Sequence, residues 1–146
     1  MILITKKVIS IISYFRRLAP LPQYIPTSVD ITNLAIGERF TRLTVGGKHS
    51  CGLTSIGNTF CWGSNSGTQG LLGNNSTIAN HLPIAIDNTN LNTGENFVSI
   101  SGGFYHTCGN TSGGRSFCWG KNTNGQLGDN SILNKAIPSQ VDTTGL

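Results

Sequence analysis

The stretch "FTRLTVGGKHSCGLTSIGNTFCWGSN" (Phe40–Asn65) aligns without a gap on "FVSISGGFYHTCGNTSGGRSFCWGKN" (Phe97–Asn122), 57 residues further along. Self-similarity at a fixed spacing constrains a fold more than any other sequence feature, because each copy must be one structural unit packed on the next. Phe40/Phe97, Gly46/Gly103, His49/His106, Cys51/Cys108, Gly57/Gly114, Cys61/Cys118 and Trp62/Trp119 coincide. The first copy then carries two extra residues, after which "GLLGNNS" (Gly70–Ser76) matches "GQLGDNS" (Gly125–Ser131). "PIAID" (Pro83–Asp87) matches "PSQVD" (Pro138–Asp142), and the same tail occurs earlier as "PTSVD" (Pro26–Asp30). "TNLAIGERF" (Thr32–Phe40) matches "TNLNTGENF" (Thr89–Phe97). The chain thus divides into an N-terminal segment (1–29), a unit over 30–86, a unit over 87–141 and the start of another over 142–146.

Each unit reads as short strands. The 19 glycines, set among many Asn, Ser and Thr, favour tight turns over long helices. "RFTRLTV" alternates like a strand, although its buried face is not clean. "HSCGLT" and "NTFCWG" are two further strands around Ser55-Ile56-Gly57. As a three-residue hairpin loop, that turn needs a left-handed third residue, which Gly57 supplies, as Gly114 does in the second unit. The register then sets Thr54 opposite Asn58, Gly52 opposite Phe60 and Cys51 opposite Cys61, with Cys108 opposite Cys118. Each cysteine pair falls at a non-hydrogen-bonded site, where Cα atoms approach to roughly 4.5 Å. Two disulfides, Cys51–Cys61 and Cys108–Cys118, are therefore expected, each worth about 2–3 kcal/mol for so short a loop. The alternative is four buried free thiols serving as small apolar residues.

Charge narrows the function classes. The net charge of +4 resides in Lys6, Lys7, Arg16 and Arg17. From Asp30 onward, six basic residues balance six acidic ones. A neutral body without a basic stripe lacks the phosphate-contacting surface of a nucleic-acid-binding protein, so none is expected for the repeat region. No apolar run is long enough to span a bilayer. "MILITKKVISIISYFRRLAPLPQYIP" leaves three readings open: a short basic amphipathic helix on a membrane surface, a secretory signal with a short apolar region, or a solvated tail. Pro20, Pro22 and Pro26 make its end an extended linker.

No metal-ligand spacing such as C-x2-C is present, and no metal or cofactor is expected. His49 and His106 read as structural residues hydrogen-bonding the backbone, since no carboxylate or hydroxyl partner recurs beside them to make a catalytic pair. The repeated Trp62 and Trp119 read as packing residues rather than as a ligand-stacking platform.

"WGSN" and "WGKN", with "GLLG" and "GQLG" and a downstream proline, resemble the repeat of the regulator of chromosome condensation family. That repeat reads loosely G-x-x-H-[ST]-x-x-L…G…W-G-x-N…G-Q-L-G…P. Gly46, His49, Ser50, Leu53, Gly57, Trp62, Gly63, Asn65, Gly70, Leu72, Gly73 and Pro83 fit the first copy. Gly103, His106, Thr107, Gly114, Trp119, Gly120, Asn122, Gly125, Gln126, Leu127, Gly128 and Pro138 fit the second. Asn110 stands where the family prefers Leu, and Leu71 where it prefers Gln.

The resemblance implies an all-β partial propeller of two four-stranded antiparallel blades plus flanking partial units, and the near-helical spacing of Ile4, Val8, Ile11, Ile12, Phe15 and Leu18 allows a short N-terminal helix. Trp62, Trp119, Phe40, Phe97, Leu72 and Leu127 would pack blade on blade. Such rings close with about seven blades, so a longer propeller or self-association is expected to cover the open faces. A protein-binding scaffold without catalysis is expected; the alternative, which the resemblance implies, is guanine-nucleotide exchange on a small GTPase, the role of the family's founding member. The cysteine pairs favour a secreted or extracytoplasmic location, the alternative being cytoplasmic.

Overall fold

The computed structural model describes residues 29–65 and 67–145. The expectations for the N-terminal segment fall on residues outside this range. Among the described residues there are eight strands and no helix: β1 (Phe40–Val45), β2 (His49–Thr54), β3 (Thr59–Gly63), β4 (Asn80–Ala85), β5 (Phe97–Gly102), β6 (His106–Thr111), β7 (Ser116–Gly120) and β8 (Lys135–Gln140). They form two antiparallel sheets, ordered β1-β2-β3-β4 and β5-β6-β7-β8. One sheet per repeat is the arrangement the copies demand.

The central hairpins form as the turn chemistry predicts. Gly57 (φ 90°) and Gly114 (φ 77°) take the left-handed backbone that the third loop position requires. Thr54 N–H donates to Asn58 O at 2.9 Å, and Thr111 N–H to Arg115 O at 2.9 Å, closing both loops. Cys51 pairs with Cys61 and Cys108 with Cys118. The fourth strand of each sheet holds Pro83 or Pro138, which a strand tolerates at a sheet edge because no ladder N–H is required there.

A single apolar core crosses from one sheet to the other. Cys51, Leu53, Cys61, Leu72 and Ile86 of the first unit meet Phe97, Phe117 and Trp119 of the second. Successive side chains of a strand point to opposite faces. Hence Cys51 and Cys61 face the second sheet, whereas Trp62 and Ser50 point away from it. In β6 the buried Thr107, Gly109 and Thr111 alternate with the more open His106, Cys108 and Asn110, which lie on the far face.

Candidate functional site

Several of the polar side chains that both units repeat are engaged at joints of the frame. The sulfurs of Cys51 and Cys61 lie 2.14 Å apart and those of Cys108 and Cys118 2.09 Å apart, with Cα separations of 4.1 Å in each pair. The first disulfide is fully buried in the joint between sheets, while Cys108 of the second is half-buried.

His49 and His106 depart from expectation. His49 bonds no backbone group; its Nε2 is hydrogen-bonded to Thr107 Oγ1 of the next sheet at 2.6 Å. The ring lies over Gly46, whose N–H is already donated to His49 O at 2.8 Å. A hydroxyl does recur beside each histidine, as Ser50 and Thr107, but Thr107 serves the histidine of the preceding unit. Burial, helped by charge repulsion from His106, pushes His49 down from 6.5 to about 4, so the ring is neutral at pH 7. The half-buried His106 has no side-chain hydrogen-bond partner among the described residues.

Both tryptophans are buried, each against the phenylalanine that opens its own sheet. Trp119 is fully buried, and a methyl group added at Gly73 of the first unit would lie 2.7 Å from its Nε1. Its indole N–H has no hydrogen-bond partner, so shape and apolar contact hold the ring in place. Trp62 packs on Phe40, with ring centroids 5.4 Å apart. Phe97 packs on Trp119 at 5.7 Å and, with Leu72, sits in the shared core; Leu127 is likewise buried.

Two sets of residues have roles that the sequence reading does not assign. Asn65 and Asn122 are fully buried, and their carbonyl oxygens accept the N–H of Leu72 (3.1 Å) and Leu127 (2.9 Å). Their amides donate to Ser76 O (2.7 Å) and Ser131 O (3.0 Å), clamping the loop after the W-G-x-N stretch. Their recurrence five and three residues before the glycine-leucine stretch is the signal for them. The second set lies at the opposite ends of the sheets.

At the β2–β3 and β6–β7 hairpin ends sit carboxylates. Glu38 accepts from Asn58 Nδ2 at 3.0 Å, and Glu95 pairs with Arg115, whose Nε donates at 3.1 Å. The other end is basic and aromatic. Lys48 Nζ and Lys121 Nζ each lie 5.5 Å from the centroid of the Tyr105 ring, a cation–π distance. Phe104 meets Tyr105 edge-on at 4.5 Å and remains 63% exposed. Among the described residues no group of His, Cys, Asp and Glu is arranged to hold a metal ion, and no helix is long and apolar enough to cross a membrane.

Comparison with known proteins places this architecture. Two family models described as "Regulator of chromosome condensation (RCC1) repeat" match, one over residues 32–69 and 97–126, the other over 57–109 and 113–145. The chain is 36% identical over 107 residues to the human probable E3 ubiquitin-protein ligase HERC6, covering 73% of this chain and 10% of that protein. Among solved structures it is similar to human WBSCR16, with a TM-score of 0.70 and 23% identity over 86% of this chain and 31% of the other. It is also similar to Prp20p of Saccharomyces cerevisiae, described with its binding properties to Gsp1p and histones. There the TM-score is 0.56 and identity 24%, over 69% of this chain and 25% of the other. The chain spans no more than about a third of any of these three proteins.

Proposed function

The chain belongs to the regulator of chromosome condensation (RCC1) repeat family, and we propose that it acts as a non-catalytic scaffold for protein–protein interaction. What carries this reading is the use to which the repeated polar groups are put. His49 joins the sheets, Asn65 and Asn122 clamp loops, the cysteines staple hairpins, and Glu38 and Glu95 brace hairpin ends. Residue types that serve catalysis elsewhere are here engaged with neighbours rather than grouped around a cleft. Fold alone assigns no function, so the assignment rests on these contacts.

The second reading is nucleotide exchange on a small GTPase, favoured by the likeness to Prp20p and its described binding to Gsp1p. A nucleotide-release assay with labelled GDP separates the two. The scaffold reading expects release at the rate without the chain; accelerated release overturns it.

We further infer an oxidising compartment, outside the cytoplasm, from the two disulfides. Thiol titration of freshly isolated, denatured, unreduced protein should find none free. Four titratable thiols would instead favour the cytoplasm.

A further inference from the structure

The two aligned copies diverge at the basic, aromatic end of the sheets. Phe104 stands where the first unit has Gly47, Tyr105 where it has Lys48, and Lys121 where it has Ser64. The plan of the sheet is satisfied by either set, so the frame does not require the aromatic pair or the second lysine. Yet these residues meet at one spot. The Phe104 ring lies on the backbone of Gly47, whose N–H donates to Phe104 O at 3.1 Å. Thus the β1–β2 loop of one unit and the β5–β6 loop of the next make one surface.

That surface has unanswered charge. Lys48 and Lys121 converge on one tyrosine ring, and among the described residues neither forms an ion pair; the two ion pairs present are Arg115–Glu95 and Lys135–Asp129. Glu38 and Glu95 are held at the opposite hairpin ends. Both ammonium groups reach one ring, so an anion docked beside that ring is attracted by each. Beside them an exposed phenylalanine offers apolar area that water covers poorly.

We propose that Lys48, Phe104, Tyr105 and Lys121 form a docking surface for an acidic segment of a partner protein that also carries an apolar side chain. The proposal rests on the scaffold reading and names the partner's chemistry. Carboxylates meet the two lysines, and the apolar side chain packs on Phe104. A nucleic acid fits less well. Its affinity grows with the number of phosphates neutralised, and this surface supplies two cations on a body of balanced charge.

The test uses the full chain and a fluorescein-labelled peptide of alternating glutamate and phenylalanine, followed by anisotropy. A glutamate-only peptide, a lysine–phenylalanine peptide and a DNA duplex serve as competitors. Lys48→Glu and Lys121→Glu should each weaken binding of the labelled peptide about tenfold, and added salt should weaken it further. Phe104→Ala should also cost about tenfold, and should bring the glutamate–phenylalanine peptide down to the glutamate-only level. Arg39→Glu makes the same charge change at the opposite hairpin end, where Arg39 O accepts Ser55 N–H at 2.9 Å, and should leave binding unchanged. No binding by the parent chain, or equal loss with Arg39→Glu, overturns the proposal. So does tighter binding of the duplex that the same two lysine variants abolish. Nucleotide release reads the scaffold assignment separately, so either idea can fail while the other stands.

Discussion

The first sheet and the second brace the same hairpin with different chemistry. In the first, Glu38 takes hydrogen bonds from Ala35 N–H (2.8 Å) and Asn58 Nδ2 (3.0 Å). In the second, Glu95 takes the equivalent bond from Asn92 N–H (2.9 Å), but Arg115 replaces Asn58 and adds a charge. Both tryptophans pack on the phenylalanine of their own sheet, Trp62 on Phe40 and Trp119 on Phe97, and Trp119 also meets Gly73 of the neighbouring unit. A repeat therefore fixes the geometry of a position and leaves its energetics to the surroundings. A residue counts for more when its contact crosses from unit to unit, because it then holds the pair together as well as its own sheet.

The largest effect should come from the contact that crosses. Trp119→Ala removes a fully buried indole from the shared core and should destabilise the chain by about 3–5 kcal/mol in urea unfolding. The sharper measurement is a double-mutant cycle with Gly73→Ala. The added methyl would sit 2.7 Å from Trp119 Nε1 on a backbone at φ 63°, so Gly73→Ala alone is costly. In the Trp119→Ala background the steric part of that cost should vanish, leaving the backbone strain. Additive losses would mean that the two groups do not touch, and the joint between sheets would have to be redrawn.

The histidines give the next comparison, read by pH. His49 has a folded value of about 4 against 6.5 when unfolded, so the unfolded chain binds more protons between those values. Its contribution is complete above pH 6.5 and is lost as pH falls towards 4, amounting to about 3 kcal/mol at the lower end. His49→Gln should flatten that arm of the stability profile, while His106→Gln, which removes only the smaller repulsive cause, should shrink it slightly. An unchanged arm in His49→Gln would show that the ring is not buried in its neutral form.

Much of this frame could be read from the chain itself, and the parts that could not share a cause. The hairpin register followed from Gly57 and Gly114, because a left-handed loop residue fixes which residues face each other. The strands holding Pro83 and Pro138 carry no strand signal of their own, since proline reads as a break unless the strand is known to be an edge. Asn65 and Asn122 look like turn residues, yet they are among the most buried side chains present. Thr107 lies 58 residues from His49, and Lys48 meets Tyr105 through a different unit's loop. Local rules reach across a turn; contacts between units depend on how sheets stack, which no window of sequence encodes.

The smallest effect tests the opening contrast directly. Arg115→Asn gives the second hairpin the chemistry of the first. In the parent chain the Arg115 guanidinium, with the Thr111 hydroxyl, holds Glu95 down to about 2. Burial alone would raise Glu38, but hydrogen bonds from Thr54, Ala35 and Asn58 more than offset it and leave it below the usual 4.5. The variant should therefore move Glu95 upward, stopping short of the ordinary carboxylate value, as followed by NMR titration of its side-chain carbonyl. The sign for stability follows from the depressed value. Ionised Glu95 stabilises the fold above pH 4.5, and that contribution disappears as pH drops towards 2. In Arg115→Asn the loss should begin at the same pH, end at a higher one, and be smaller and less sensitive to salt. Because the Arg115 side chain is 25% exposed, water and ions screen the pair, so the loss of stability at neutral pH should be small and should match the upward movement of Glu95. If Glu95 kept its low value without Arg115, the hydrogen bonds from Thr111 and Asn92 would account for it, and the two hairpins would be chemically alike after all.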